Sequence, residues 1–554
     1  MTRNLSLFDI PHVMERIGSY LDREDLLSCV LVNKAFHKEF NRLVWSNISF
    51  RHHKLYLKQN LDPDRIQAIS RNIQWTRRLS IDIQCQPEVL SLLPDVCSNL
   101  RNFTIFISRK QHDDSNERLI LSVIDMIDRN TRLRTCTFIR YALLSNNSLE
   151  KLTGAFSRSP CLTEINLEFR IVPPPRGWLQ CVLQNLPRTL KKLSVLWIKP
   201  NETSEVETLP ARNWPESYPY LETADLLVDL TRHEEQTFFQ FLKRCPALVS
   251  CSFPKLANME AQSSLIRTLW SKCFPFTLKR LSCHMWRAMD QNQWTDLLFA
   301  VSGHIRSFII GIDFIAGPGQ YYIYEMTRHW SQTLESLNIY NADLISSSDI
   351  QLVLTTCPKL KSINCFCYWL LWMPNLLQDG SNTFPGLNVI TSTESDANND
   401  RMVDWVCLEL EELKLTFADG RSASVEEPLL SQQEQQVTQG IRRVYEQIGR
   451  LEKLRKLTVG WCSADRFAES ANLNMSLQSG MGHMEKLKML SMLDINHISK
   501  VNIGIEEAQW MLDNWPMLKT ISGLRYRYRV VRDGGDEPDF IVLLKSRRPW
   551  LELC

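Results

Sequence analysis

The sequence predicts an α/β chain. A short helical segment opens it, and a long array of alternating strands and helices follows, its strands forming one curved parallel sheet inside and its helices outside. Three observations predict this. Residues 8–45 carry three apolar stripes at helical spacing. A hexapeptide Φ-x-x-Φ-x-Φ, with Φ apolar or Cys, recurs along nearly all the rest. The stretches between its copies have helical patterning and commonly end at a proline.

The helical segment comes first. Pro11 suits the first residue of a helix, where its missing N–H costs nothing. Val13, Ile17, Tyr20 and Leu21 follow at i, i+4, i+7 and i+8. Asp22 can cap a second helix, with Asp25 three residues on in a capping-box-like arrangement. That helix carries Leu26, Leu27, Val30 and Leu31. Asn33 can cap a third, carrying Phe36, Phe40, Leu43 and Val44. So short a segment cannot bury a sufficient core of its own, so it must lean on something else.

The order of these residues resembles the F-box, the motif that docks substrate receptors onto the Skp-type adaptor of cullin ubiquitin ligases. The resemblance rests on Ile10-Pro11, on S-Y-L-D-x-x-D-L-L at residues 19–27, on V-x-x-x-F from Val32 to Phe36 and on Trp45. It covers residues 8–45 without a gap. Phe36 stands where many F-boxes carry Trp, and an aromatic ring there keeps the packing. The resemblance implies that Ile10, Pro11, Val13, Ile17, Tyr20, Leu21, Leu26, Val30 and Phe36 meet the adaptor. It sets the first domain at residues 5–45.

The array follows. Copies of the hexapeptide start at Leu100, Leu133, Leu162, Leu190, Leu221, Leu248, Leu278, Ile305, Leu334, Leu360, Leu410, Leu454, Leu487 and Leu518, with weaker copies at Trp45, Thr76 and Leu387. Most steps are about 24–33 residues, at or just beyond the leucine-rich-repeat period of 20–29. Helices are expected over 118–130, 148–157, 234–244, 262–273, 349–356 and 506–514. Cys245-Pro246, Cys357-Pro358 and Trp515-Pro516 stop such helices and feed extended chain. Strands that return through helical crossovers pair in parallel. An all-helical array or unrelated α/β domains would not repeat so short an element so regularly. Together with residues 8–45, the array resembles the F-box leucine-rich-repeat proteins, with about 16–17 degenerate repeats over residues 46–524 that often lack the ladder Asn. Polar stretches at 199–219, 391–400 and 419–439 read as excursions from the array. Residues 525–554 read as a capping segment, with the turn DGGD at 533–536 inside a hairpin over 526–544.

Composition narrows the function classes. A net charge of +2 over 554 residues gives no field that would draw the whole chain to nucleic acid or to a membrane. No apolar run reaches the length of a membrane span, and the N-terminus does not resemble a secretory signal. The sixteen cysteines contain no C-x-x-C pair and no zinc-site spacing, so they are expected to be reduced, buried and small, as in a cytoplasmic or nuclear protein. Gly317-Pro318-Gly319 lacks the Lys and Ser/Thr of a phosphate loop. No G-x-S-x-G, H-E-x-x-H or kinase set occurs. No cofactor, no metal and no catalytic role are expected. The alternating RYRYR run at 525–529 has the composition of a nucleic-acid contact, but one solvated face over one packed face accounts for it equally well.

A binding surface remains. Residues flanking the middle Φ point away from the core, onto the inner face of the sheet. Among them and just beyond them lie Arg280, His284, Trp286, Asn338, Tyr340, Asn364, Phe366 and Tyr368, where aromatics beside polar groups suit a target protein. The resemblance implies a substrate receptor of a Skp–cullin–F-box ligase, with the adaptor bound directly, the cullin indirectly and a target protein on the array. Two other readings stay open: a scaffold that uses the same adaptor without ubiquitin transfer, and a free-standing repeat protein whose first helices only cap the array.

Overall fold

The computed structural model describes residues 10–50, 63–82, 97–107, 114–140, 146–169, 177–197, 214–230, 232–253, 255–256, 277–283, 291–301, 304–311, 319–340, 347–365, 371–372, 404–415, 417–418, 431–459, 475–496, 503–524 and 537–554. The chain divides into two compact units, Met1–Asn258 and Met259–Cys554.

The first unit opens with helices α1 (Pro11–Gly18), α2 (Arg23–Val30) and α3 (Lys34–Val44). Both expected caps form. The Asp25 N–H donates to Asp22 Oδ1 at 2.9 Å, and the Phe36 N–H to Asn33 Oδ1 at 2.9 Å. Strands β1 (Asn47–Phe50), β2 (Arg78–Asp82), β3 (Asn102–Ile107), β4 (Thr135–Arg140), β5 (Glu164–Phe169), β6 (Lys192–Trp197), β7 (Thr223–Leu230) and β8 (Ser250–Phe253) follow, each paired in parallel with the next. The short β9 (Lys255–Leu256) pairs with the end of β7. Helices Pro63–Asn72, Asp114–Arg129, Asn146–Arg158, Trp178–Gln184 and Arg232–Leu242 lie between the strands.

The hexapeptide explains the strands. Its middle Φ forms one buried row across the sheet: Ile48, Leu79, Phe103, Cys136, Ile165, Leu193, Ala224 and Cys251. Its last Φ forms another, with Ile81, Ile105, Phe138, Leu167, Val195 and Leu226. Each Leu, Ile, Val or Phe in these rows contributes about 1.5–3 kcal/mol by leaving water, but only if the neighbouring copies cover it.

The second unit is built alike. Strands β10 (Arg280–Cys283), β11 (Ser307–Gly311), β12 (Ser336–Tyr340) and β13 (Ser362–Cys365) pair in parallel in that order. The two-residue β14 (Leu371–Trp372) pairs separately with β16 (Phe417–Ala418). Between those two in sequence lies β15 (Glu412–Leu415), which continues the main ladder from β13. Then come β17 (Lys456–Val459), β18 (Met492–Asp494), β19 (Thr520–Ser522) and β20 (Glu552–Leu553). Helices Gln291–Ala300, Gly319–Trp330, Ser347–Thr356, Ser431–Gly449, Ile505–Asn514 and Asp539–Arg547 separate them. The fold is therefore α/β with parallel strand–helix repeats of leucine-rich type.

Four local expectations are corrected. Residues 431–439, read as part of a polar excursion, begin the helix Ser431–Gly449. Gln and Glu are good helix formers, and Val444, Tyr445 and Ile448 give that helix a buried face. The hexapeptide placed at Leu487 starts at Leu490: Leu493 pairs with Leu457, while Leu487 follows the 3₁₀ turn Met481–Lys486. Both frames place apolar residues where the template asks for them. Residues 539–544, read as strand, lie in helix Asp539–Arg547, because a short apolar run has no period to distinguish the two. Finally, residues 214–219 are packed: Tyr218 is buried and its hydroxyl donates to the Leu183 carbonyl. Of the other expected features, the helix at 262–273, the weak copy at Leu387, the turn at 533–536, the RYRYR run and the stretch 391–400 lie outside the described residues.

Among the described residues no single ladder residue joins the repeats. Asn130 is buried, donates to the carbonyls of Cys97 and Met126 at 2.8 and 2.7 Å, and accepts from the Leu100 N–H at 3.0 Å. Elsewhere Gln447 accepts from the Trp405 N–H, and the Trp515 indole donates to the Met484 carbonyl. Different side chains thus satisfy the same kind of buried backbone group, which is why a fixed Asn is dispensable.

Candidate docking surface

The three N-terminal helices enclose a small core of Met14, Leu26, Phe40 and Val44, with Leu21, Val30, Phe36 and Trp45 partly buried against it. The Phe36 and Phe40 rings lie 5.3 Å apart. Gly18 lets α1 approach α3, since a Cβ there would meet Leu43 Cδ1 at 2.2 Å. This core is fastened to the repeats at the end of α3. The Ser46 carbonyl accepts the N–H groups of Arg77 and Arg78, both at 2.9 Å, and the Thr76 hydroxyl donates to the Trp45 carbonyl at 3.0 Å. Glu15 receives the Arg77 guanidinium at 2.7 Å, and that hydrogen bond holds its carboxyl below the ordinary range.

The outer side of the segment stays apolar and open. Ile10, Ile17 and Tyr20 are exposed around α1, and Leu27, Leu31 and Val32 along α2 and just after it. Tyr20 is 75% exposed, Leu31 84% and Val32 62%. Six of the seventeen exposed large apolar side chains among the described residues thus fall within residues 10–32. Clustered exposure of this kind marks an interaction site, whereas scattered exposure needs no explanation. The Arg16 guanidinium lies over the Tyr20 ring, 5.6 Å from its centroid.

The structure sorts the residues expected to meet an adaptor. Ile10, Ile17 and Tyr20 are presented, and Val13, Leu21, Val30 and Phe36 are half-buried. Leu26 is not available, because it is buried in the segment's own core. The Pro11 side chain lies outside the described residues, although Pro11 begins α1 as expected. Leu27, Leu31 and Val32 are exposed, and no docking role was drawn for them from the sequence. The stripe Val13–Ile17–Tyr20 is visible in sequence, but periodicity does not say which of two faces the chain covers itself. Met14 and Gly18 form the covered face, and a glycine leaves no apolar signal.

Of the residues expected to hold a target, Arg280, Asn338, Tyr340 and Asn364 are described, and His284, Trp286, Phe366 and Tyr368 are not. Asn338 and Asn364 are register partners on adjacent strands. Asn338 donates to the Tyr340 hydroxyl at 2.6 Å, and the Oδ1 atoms of both asparagines are buried without a hydrogen-bond partner. Arg280 is exposed at the start of β10.

Among the described residues no group of His, Cys, Asp or Glu is placed to hold a metal ion. Burial pushes the thiols of Cys97, Cys136 and Cys407 up to about 12, far from the range of a nucleophile. No helix among the described residues is long and apolar enough to cross a membrane.

No family model matches the chain, and no curated protein matches it. Among solved structures it is similar to the complex of Rad7 and Elc1 from yeast, at 14% identity over 66% of this chain and 94% of that one, with a TM-score of 0.28. It is also similar to the leucine-rich-repeat protein LegL7 from Legionella pneumophila, at 10% identity over 56% of this chain and 90% of that one, with a TM-score of 0.30. Likenesses at these scores carry no argument about what this chain does.

Proposed function

We propose that the chain is the substrate-recognition subunit of a Skp–cullin–F-box ubiquitin ligase, with residues 10–45 docking a Skp-type adaptor and the repeats holding a target protein. The observation that carries this reading is the run of exposed apolar side chains around α1 and α2: Ile10, Ile17 and Tyr20 stand at positions where the motif resemblance expects a partner, and Leu27, Leu31 and Val32 are exposed in the same segment. A surface of this kind loses free energy in water and regains it under a partner. Ile10, Ile17, Tyr20, Leu27, Leu31 and Val32 supply the contact, and Met14, Leu26, Phe40 and Val44 hold them in place.

The chain does no bond chemistry in this reading. It tethers a target near the ubiquitin thioester carried by the rest of the complex and so raises the effective concentration of the target's lysines. Such a ligase works in the cytoplasm or nucleus, where buried, unpaired cysteines are ordinary.

Copurification tests the reading. The full chain is expected to bring down a Skp-type adaptor and a cullin, and the chain lacking residues 1–45 neither. Loss of adaptor with retention of a target protein would separate the two surfaces. Retention of the adaptor by the shortened chain would refute the docking role, and an unchanged target half-life on that deletion would refute ubiquitin transfer.

A further inference from the structure

A cleft of about 160 Å³ lies where α3 meets the first repeats, and four of its lining residues are arginines: Arg42, Arg77, Arg101 and Arg132. At about 30 Å³ per water it has room for about five waters, enough for a compact anion. Leu43, Ser46, Gln74, Trp75 and Asn99 complete the wall.

Among the described residues, the charge in this cleft is only partly balanced. Glu15 meets Arg77 at 2.7 Å and Arg42 at only 3.9 Å, and Glu39 reaches Arg42 at 4.0 Å. The Nε of Arg42 is buried and has no hydrogen-bond partner. Arg101 and Arg132 are exposed and form no ion pair among the described residues.

The backbone ladder shows how unusual this is. The residue just before each strand donates its N–H to the equivalent carbonyl of the previous repeat, so these residues form a row. In the second unit the row runs Lys279, Arg306, Glu335, Lys361, Glu411, Arg455. Its charges pair across rungs: Glu335 with Arg306 at 3.3 Å and Lys361 at 2.9 Å, and Arg455 with Glu411 at 3.7 Å. In the first unit the same row runs Ser46, Arg77, Arg101, Arg134. Like charges on adjacent rungs repel. Of this row Arg77 and Arg101 line the cleft, and Glu15 offsets Arg77. Arg101, joined in the cleft by Arg132 from outside the row, has no acidic partner among the described residues.

We propose that this cleft binds a small phosphate-bearing anion, with Arg101 and Arg132 as its principal ligands and Arg42 and Arg77 behind them. Phosphate suits the donor set, since guanidinium forks match its oxygens in pairs. The site spans α3 and the first repeats, so a bound anion ties the N-terminal helices to the array. This inference goes beyond adaptor docking and stands independently of it.

Inorganic pyrophosphate is the probe, added to the purified full chain at constant ionic strength. It is expected to raise the melting temperature and to slow hydrogen exchange over residues 40–46. The pair Arg101→Gln and Arg132→Gln should weaken binding tenfold or more in calorimetry, while Lys191→Gln, outside the cleft, leaves it unchanged. Should the Gln pair lower the basal melting temperature, Arg101→Lys with Arg132→Lys keeps the charge, removes the forks and should still weaken pyrophosphate. An effect no larger than that of sodium chloride at equal ionic strength, or full retention of binding by both pairs, would overturn the proposal.

Discussion

Single residues carry the tightest constraints. Gly18 sits where a Cβ would meet the movable tip of Leu43 and come within 3.3 Å of the buried Phe40 ring, so a bulky replacement, Gly18→Leu, should destabilise the helical segment by about 1–3 kcal/mol through overpacking. Faster amide exchange confined to residues 11–44 would report it. Gly523 has a φ of +102°, and a Cβ there would lie 2.4 Å from the Asn496 backbone nitrogen. Unlike a side-chain tip, backbone cannot move aside cheaply. The Glu15–Arg77 contact makes the attachment of α1 depend on pH. A carboxyl held below its ordinary range stabilises the folded state above about pH 4, the usual value for Glu, and loses that contribution as pH falls through its folded value. Exchange over α1 should therefore quicken on acidification, and Glu15→Gln should remove that pH dependence. The sequence makes Asp22 and Asn33 legible as caps because a cap bonds only two or three residues away. The pairing of Glu15 with Arg77 spans sixty-two residues and left no local trace.

At the scale of elements, α2 separates two roles that sit side by side. Leu26 faces the segment's own core, while Leu27 and Leu31 face water. Leu26→Asp should unfold the three helices, because a carboxylate in that core has no partner. Limited proteolysis within residues 10–45 is the check. Leu31→Asp should leave the proteolysis pattern unchanged and still abolish adaptor binding. From the sequence all three leucines belong to one stripe. Which of them is covered depends on where α3 crosses, and Gly18 and Phe40 decide that rather than anything in α2. The same limit explains the shifted frame at Leu490 and the helix Asp539–Arg547: apolar spacing finds the element, and only the neighbouring repeat fixes its register or type.

Within each unit the main ladder is a chain of like contacts, each strand paired with the next copy. A defect should therefore spread locally: Leu413→Asp in β15 should raise amide exchange in β13 and β17 more than in β11 or β19. The repeat was the most legible feature of the sequence because it is stated many times over, so single degenerate copies did not obscure it. Of the eight residues expected to hold a target, only Arg280, Asn338, Tyr340 and Asn364 are described, and the strand pattern that places them does not distinguish a binding side chain from an ordinary surface one. Docking through the N-terminal helices is the claim on which the functional reading stands. Titration of the purified full chain with a purified Skp-type adaptor, beside the Tyr20→Asp/Leu31→Asp variant, tests it most directly. The account predicts saturable binding by the natural chain and a loss of a hundredfold or more in the folded variant; equal affinity for both would contradict it.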